Sequence, residues 1–280
     1  MNWEDELEIL SEEFQKILGD DISICTAGSC ALGGFIPGHS DFNLLVEVPI
    51  GQIPDIGLLQ AMTHDVRILF FCEENDCPVF LGNRMLPGTH AYTGNKSSDQ
   101  FEPPQDMNLF LSALSAVTGM NMVSEDKEEM KASPSENMEK EIMDHDPIED
   151  KEVLPLYIAQ ARCAESVIIG KLPKPVAGVM VKDAMMHLFN REGNISDRVL
   201  FTLSTLAFLE DGLLLSKKGA GIYALGRTSD PLERKILTSL VSMSLQGGSQ
   251  EMPPQTEELL QEVRKRVYSA SAHYQGKAKI

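Results

Sequence analysis

The fold of this chain turns on one stretch, Gly28-Ser29-Cys30-Ala31-Leu32-Gly33-Gly34-Phe35-Ile36-Pro37-Gly38-His39-Ser40-Asp41-Phe42-Asn43-Leu44-Leu45-Val46. Just before it, Ile22 to Ala27 alternates like a short strand, so the glycines follow a strand end. Glycines there let backbone N–H groups approach a phosphate, and Ser29 adds a hydroxyl donor. Phe42 to Val48 has the composition of a second strand and is closed by Pro49. Side chains two apart on a strand share a face, so Asp41 and Asn43 project together. Asp65 precedes a third strand, Val66 to Phe71, and comes alongside them if the strands pair. Oxygen ligands converging beside a phosphate cradle suit Mg²⁺-assisted phosphoryl or nucleotidyl transfer. There the metal neutralises the triphosphate while a carboxylate takes the acceptor proton. Each part also has a plainer use: Gly-Ser is a common turn, and Asp65 alone suits a strand start.

Working outward, Trp3 to Leu18 carries Leu7, Ile9, Leu10, Phe14, Ile17 and Leu18 at intervals of three and four, which predicts a helix stopped by Gly19. A short helical piece is expected around Leu58, Leu59 and Met62. Residues 74–123 are rich in Pro, Gly, Asn and Ser, with one helix expected near Met107 to Val117. Between Ser124 and Glu152 stand twelve acidic residues, four lysines and no aromatic residue, the composition of a solvated linker or mobile insertion. From Val153 onward the periodicity is helical, over Leu154 to Ile169, Val176 to Phe189, Asp197 to Leu209, Pro231 to Leu245 and Thr256 to Tyr274. Asp197 signs one start, and Asp230 before Pro231 another. Leu259, Leu260, Val263 and Val267 form the inner stripe of the last helix. The expected organisation is an α/β domain with a small mixed sheet and flanking helices (1–123), an acidic linker (124–152) and an all-α helical bundle (153–280).

Composition narrows the function. The 280 residues hold 24 Lys+Arg against 42 Asp+Glu, a net charge of −18, which argues against non-specific nucleic-acid binding through a basic face. Nearly half of that excess lies in the acidic stretch, so it says little about a cationic ligand. No apolar run approaches the roughly 20 residues of a membrane span. The acidic start lacks a secretory signal, and five cysteines mostly inside apolar runs read as reduced thiols. The expected compartment is the cytoplasm.

The order Gly-Ser, spacer, acidic strand and a further acid on a later strand resembles the nucleotidyltransferase superfamily. More closely, the chain is similar to bacterial streptomycin/spectinomycin (aminoglycoside) adenylyltransferases. The similarity runs through Gly33-Gly34, Pro37, Ser40-Asp41-Phe42-Asn43-Leu44-Leu45-Val46, Ala161-Arg162-Cys163-Ala164-Glu165-Ser166-Val167 and Val199 to Ser204, and then Gly212, Ser216-Lys217 and Ala220. It covers roughly residues 22–73 and 153–245. The resemblance implies transfer of an adenylyl group from ATP to a hydroxyl of a small, cationic, aminoglycoside-like acceptor. Gly28, Ser29, Ser40 and Lys217 would hold the nucleotide, Asp41, Asn43 and Asp65 would hold Mg²⁺, and Asp41 and Asp65 would be catalytic. Asp197 would face the acceptor.

Two departures from that pattern bear on activity. Asn43 replaces the second metal carboxylate by a neutral amide, and Mg²⁺ favours carboxylate. The only tryptophan is Trp3, so the aromatic wall of the family's substrate cleft is missing. A second reading therefore keeps the fold and drops the turnover: a degenerate nucleotidyltransferase-fold protein that binds a nucleotide or a protein partner.

Overall fold

Leu7, Leu10 and Phe14 fall on one side of the first helix, and burying them needs an apolar sheet face. A computed structural model supplies it; residues 3–35, 40, 42–50, 65–86, 147–191, 193–246, 253–276 and 280 are described. Helix α1 (Trp3–Leu18) is followed by β1 (Ser23–Ala27), the one-turn α2 (Gly28–Ala31), β2 (Phe42–Glu47), β3 (Val66–Glu74) and β4 (Cys77–Leu86). Then come α3 (Pro147–Cys163), β5 (Val167–Ile169), α4 (Gly178–Phe189), α5 (Ile195–Asp211), α6 (Lys217–Leu225), α7 (Pro231–Gln246) and α8 (Thr256–His273).

The five strands form one mixed sheet in the order β4-β3-β2-β1-β5. β2 and β3 run parallel; β1 is antiparallel to β2 and to β5, and β4 antiparallel to β3. Alternation sorts the side chains. Ile22, Ile24, Phe42, Leu44, Val46, Val66, Ile68 and Phe70 join Leu7, Leu10 and Phe14 in one buried cluster on the α1 side. The opposite face carries Asn43, Leu45, Arg67 and Leu69, and α3 meets it. Burying both faces explains why β2 and β3 read as nearly continuous apolar runs.

Two strands were not expected. β4 pairs back on β3 through Asn75 and Asp76, both in left-handed backbone (φ 50° and 61°), which makes a two-residue hairpin turn. β5 occupies the end of the helix expected over Leu154 to Ile169. That helix stops at Cys163, and the β-branched run Val167-Ile168-Ile169 completes the free edge of β1 instead. α3 also starts at Pro147, inside the stretch expected as a linker, and Asp150 within it is fully buried.

In the helical half, α5 is central and is buried along Val199 to Leu209 by α4, α6 and α8. Its N-cap is Asn194 rather than Asp197: the Asn194 side chain accepts from Asp197 N at 2.8 Å. The Asp230-Pro231 start holds, with Leu232 N donating to Asp230 at 2.9 Å. Leu259, Leu260, Val263 and Val267 are buried along α8 as expected. Residues 1–91 and 147–280 form one compact unit, and residues 92–146 fall to a second. The helices expected near Leu58 and over Met107 to Val117, and residues 124–146, lie outside the described residues. Among the described residues, no helix is long and apolar enough to cross a membrane.

Candidate functional site

The turn after β1 is built to bring backbone close to its neighbours. Gly28 has φ +64°, and a β-carbon there would come within 2.8 Å of Asn43 Nδ2, so glycine is required twice over. Gly34 N donates to Ser29 O at 2.8 Å, closing the turn, and Phe35 stacks on Phe42 with ring centroids 4.5 Å apart. Gly34 also lies against the start of α6: a β-carbon on it would meet Ser216 Cβ at 2.8 Å. The turn of the sheet and the N-terminus of α6 thus abut, with Ser216 capping α6 through Gly219 N at 3.1 Å. Lys217 is the first helical residue there.

Lys217 and Asp197, expected on the nucleotide and the acceptor respectively, are brought to each other. Lys217 Nζ lies 2.7 Å from Asp197 Oδ1, both side chains about half exposed. Ser40 is half-buried just ahead of β2, and Ser29 is half-buried in α2. Asp65 immediately precedes β3, and its carbonyl accepts from Phe42 N at 2.9 Å. Asp41 lies outside the described residues.

Sequence reasoning missed what stands beside Asn43. In the parallel β2–β3 register, Asn43 is directly opposite Arg67. The Arg67 side chain is 11% exposed, and its guanidinium forms an ion pair with Asp150 of α3, whose side chain is 0% exposed. Arg67 also donates to Tyr157 Oη at 3.3 Å, and Asn83 of β4 donates to Asp150. Gln160, farther along α3, accepts from Gly28 N at 2.9 Å. α3 therefore covers this sheet face with Asp150, Tyr157 and Gln160. The available signal was Arg67 itself, a charge set in the apolar run Val66 to Phe71 on the same face as Asn43.

That set does not suit a divalent cation. Asn43 offers one neutral oxygen, and a guanidinium has N–H donors and no lone pair for a metal. Asp150 is committed to Arg67 and Asn83 and sealed from solvent. Among the described residues, no group of three or more His, Cys, Asp or Glu side chains could hold a metal.

At the far end of the same face, burial pushes the Glu47 carboxyl above its usual range, and Glu73 adds to this while Lys171 and Lys174 partly offset it. Burial, with Glu47 nearby, pushes the Cys25 thiol up to about 11, so this cysteine is protonated at neutral pH.

The architecture is a mixed five-stranded sheet with a glycine turn after β1 and helices flanking and following it. Among solved structures, the chain is similar to a spectinomycin adenyltransferase, AAD(9), from Enterococcus faecialis, crystallised with ATP and spectinomycin. The likeness covers 95% of this chain and 100% of that one, with a TM-score of 0.53 and 13% identity, and it shows the fold alone. No family model matches the chain, and no curated protein matches it in sequence.

Proposed function

We propose that this protein binds a nucleoside triphosphate, ATP in the first instance, and does not transfer its nucleotidyl group. The reading is carried by the juxtaposition of Arg67, on the adjacent strand, with Asn43, the position at which the resemblance expects a metal carboxylate. Binding is supported by the abutting Gly28–Phe35 turn and α6 N-terminus. Ser29, Ser216 and Lys217 there supply hydroxyl, helix-end and ammonium groups for phosphate oxygens. Lys217 has to leave Asp197 to do this, a small cost for a half-exposed pair. By the resemblance Ser40 would join these groups, and Gln160 would release Gly28 N to the ligand. ATP added to the purified protein should give saturable binding heat. With Mg²⁺ and a panel of aminoglycosides present, no pyrophosphate should appear; pyrophosphate release would refute the proposal.

A second reading, Mg²⁺-dependent adenylyl transfer to a small cationic acceptor, draws on one observation: Asp65 stands at the start of β3, hydrogen-bonded through its backbone to β2. In that reading Asp65 and Asp41 supply the metal ligands and the base, and Asp197 faces the acceptor. It requires catalysis beside a guanidinium, and the same pyrophosphate assay separates the two.

A further inference from the structure

The disagreement between a nucleotidyltransferase-like fold and the groups on its sheet face carries a specific consequence. We infer that Arg67 is the resident cation of this site, taking the place of a divalent metal, so that a phosphate-bearing ligand is bound free of Mg²⁺. The inference rests on the nucleotide-binding reading only for the identity of that ligand.

Three observations combine. Arg67 is in register with Asn43, whose amide lies against Gly28, so the guanidinium belongs to the strand pair that leads out of the phosphate turn. It is fixed rather than free to swing. Asp150 pairs with it from a fully buried position, Tyr157 accepts from it, and its charge lies 5.9 Å from the centre of the Tyr157 ring. Its Nε–H is buried without a hydrogen-bond partner among the described residues, so one donor of the group is unsatisfied.

A divalent ion entering beside this group meets like charge in a poorly solvated place, where screening is weak. Asp150, the carboxylate paired with Arg67, cannot turn to a metal without leaving Arg67 buried and unpaired. Phosphate oxygens face the opposite balance, since a guanidinium is the side chain best matched to them.

The first test uses the wild-type protein and Mn²⁺ as the probe. The electron paramagnetic resonance signal of free Mn²⁺ should keep its amplitude as protein is added. Stoichiometric loss of that signal overturns the inference. The paired variant Arg67→Glu with Asp150→Asn should take up one Mn²⁺ per chain. If that variant is folded by circular dichroism and still leaves the signal untouched, Arg67 is not what excludes the metal and the inference fails.

In calorimetry, the dissociation constant for ATP in EDTA and in Mg²⁺ should agree within about twofold, and a weakening of about tenfold or more in EDTA contradicts the inference. Absence of ATP binding in both conditions sinks the nucleotide reading instead, and the Mn²⁺ titration still decides the inference.

Discussion

Replacing Asp150 by alanine removes the counter-ion of a largely buried guanidinium. Asp150 is 0% exposed and Arg67 11%, so water does not take over the lost interaction, and Asn83 loses its acceptor as well. Breaking a buried pair on one side costs about 3–5 kcal/mol. Against a typical total stability of about 5–15 kcal/mol this is a large fraction. For a chain of this size, about 2–4 °C per kcal/mol translates the loss into a Tm lower by roughly 6–20 °C. Urea unfolding followed by circular dichroism measures it directly. The control is Arg67→Met with Asp150→Leu, which removes both charges and should stay within about 1–2 kcal/mol of the wild type. A single-variant loss under about 1 kcal/mol would show that the pair is solvated and does not fasten α3 to the sheet. A double variant as unstable as the single one would show that the loss comes from packing rather than from the orphaned charge.

Other perturbations test the site piece by piece. Gly28→Ala should cost about 1–2 kcal/mol in thermal unfolding, from its φ of +64° and the 2.8 Å approach to Asn43, and adding Asn43→Ala should recover only the steric part. Lys217→Ala should weaken ATP binding about tenfold in calorimetry yet change stability by less than about 1 kcal/mol, because its pair with Asp197 is half exposed. Glu47 is raised above 4.5 by burial, so the fold favours its neutral form. That contribution is complete below 4.5 and is lost as pH rises through the raised value. Glu47→Gln should therefore be more stable than wild type at pH 7, by about 1 kcal/mol or less because Lys171 and Lys174 offset part of the penalty, and equal to it in acid.

Much of the framework was legible because local and global signals agree there. The inner stripe of α8, the Asp230-Pro231 start of α7 and the apolar runs of β1 to β3 carry their structure in periodicity and capping alone. β4 is hard to read from sequence, although Asn75-Asp76 is a hairpin signal, because Glu73 and Glu74 ahead of it and Pro78 and Gly82 within it dilute the strand pattern. β5 was absorbed into a helix because three apolar residues continue a helical stripe as well as they make a strand. The open edge of β1, a tertiary fact, decides between the two. Asn194 and Asp197 are both competent caps and lie one turn apart, so the sequence alone does not place this boundary.

The site was legible in its turn and illegible in its charges. Gly28, Ser29 and Asn43 can be picked out by spacing. The partner of Asn43 depends on strand register, and the partner of Arg67 sits 83 positions later, in a segment whose composition reads as solvated. Composition cannot reveal that Asp150, one of twelve acidic residues between Ser124 and Glu152, is fully buried.

The most direct test of the account is a single preparation given ATP, Mg²⁺ and an aminoglycoside panel, with binding heat and pyrophosphate both followed. The account predicts saturable heat for ATP and no pyrophosphate above a protein-free control. Pyrophosphate formed in proportion to protein, or no heat for ATP at all, contradicts it.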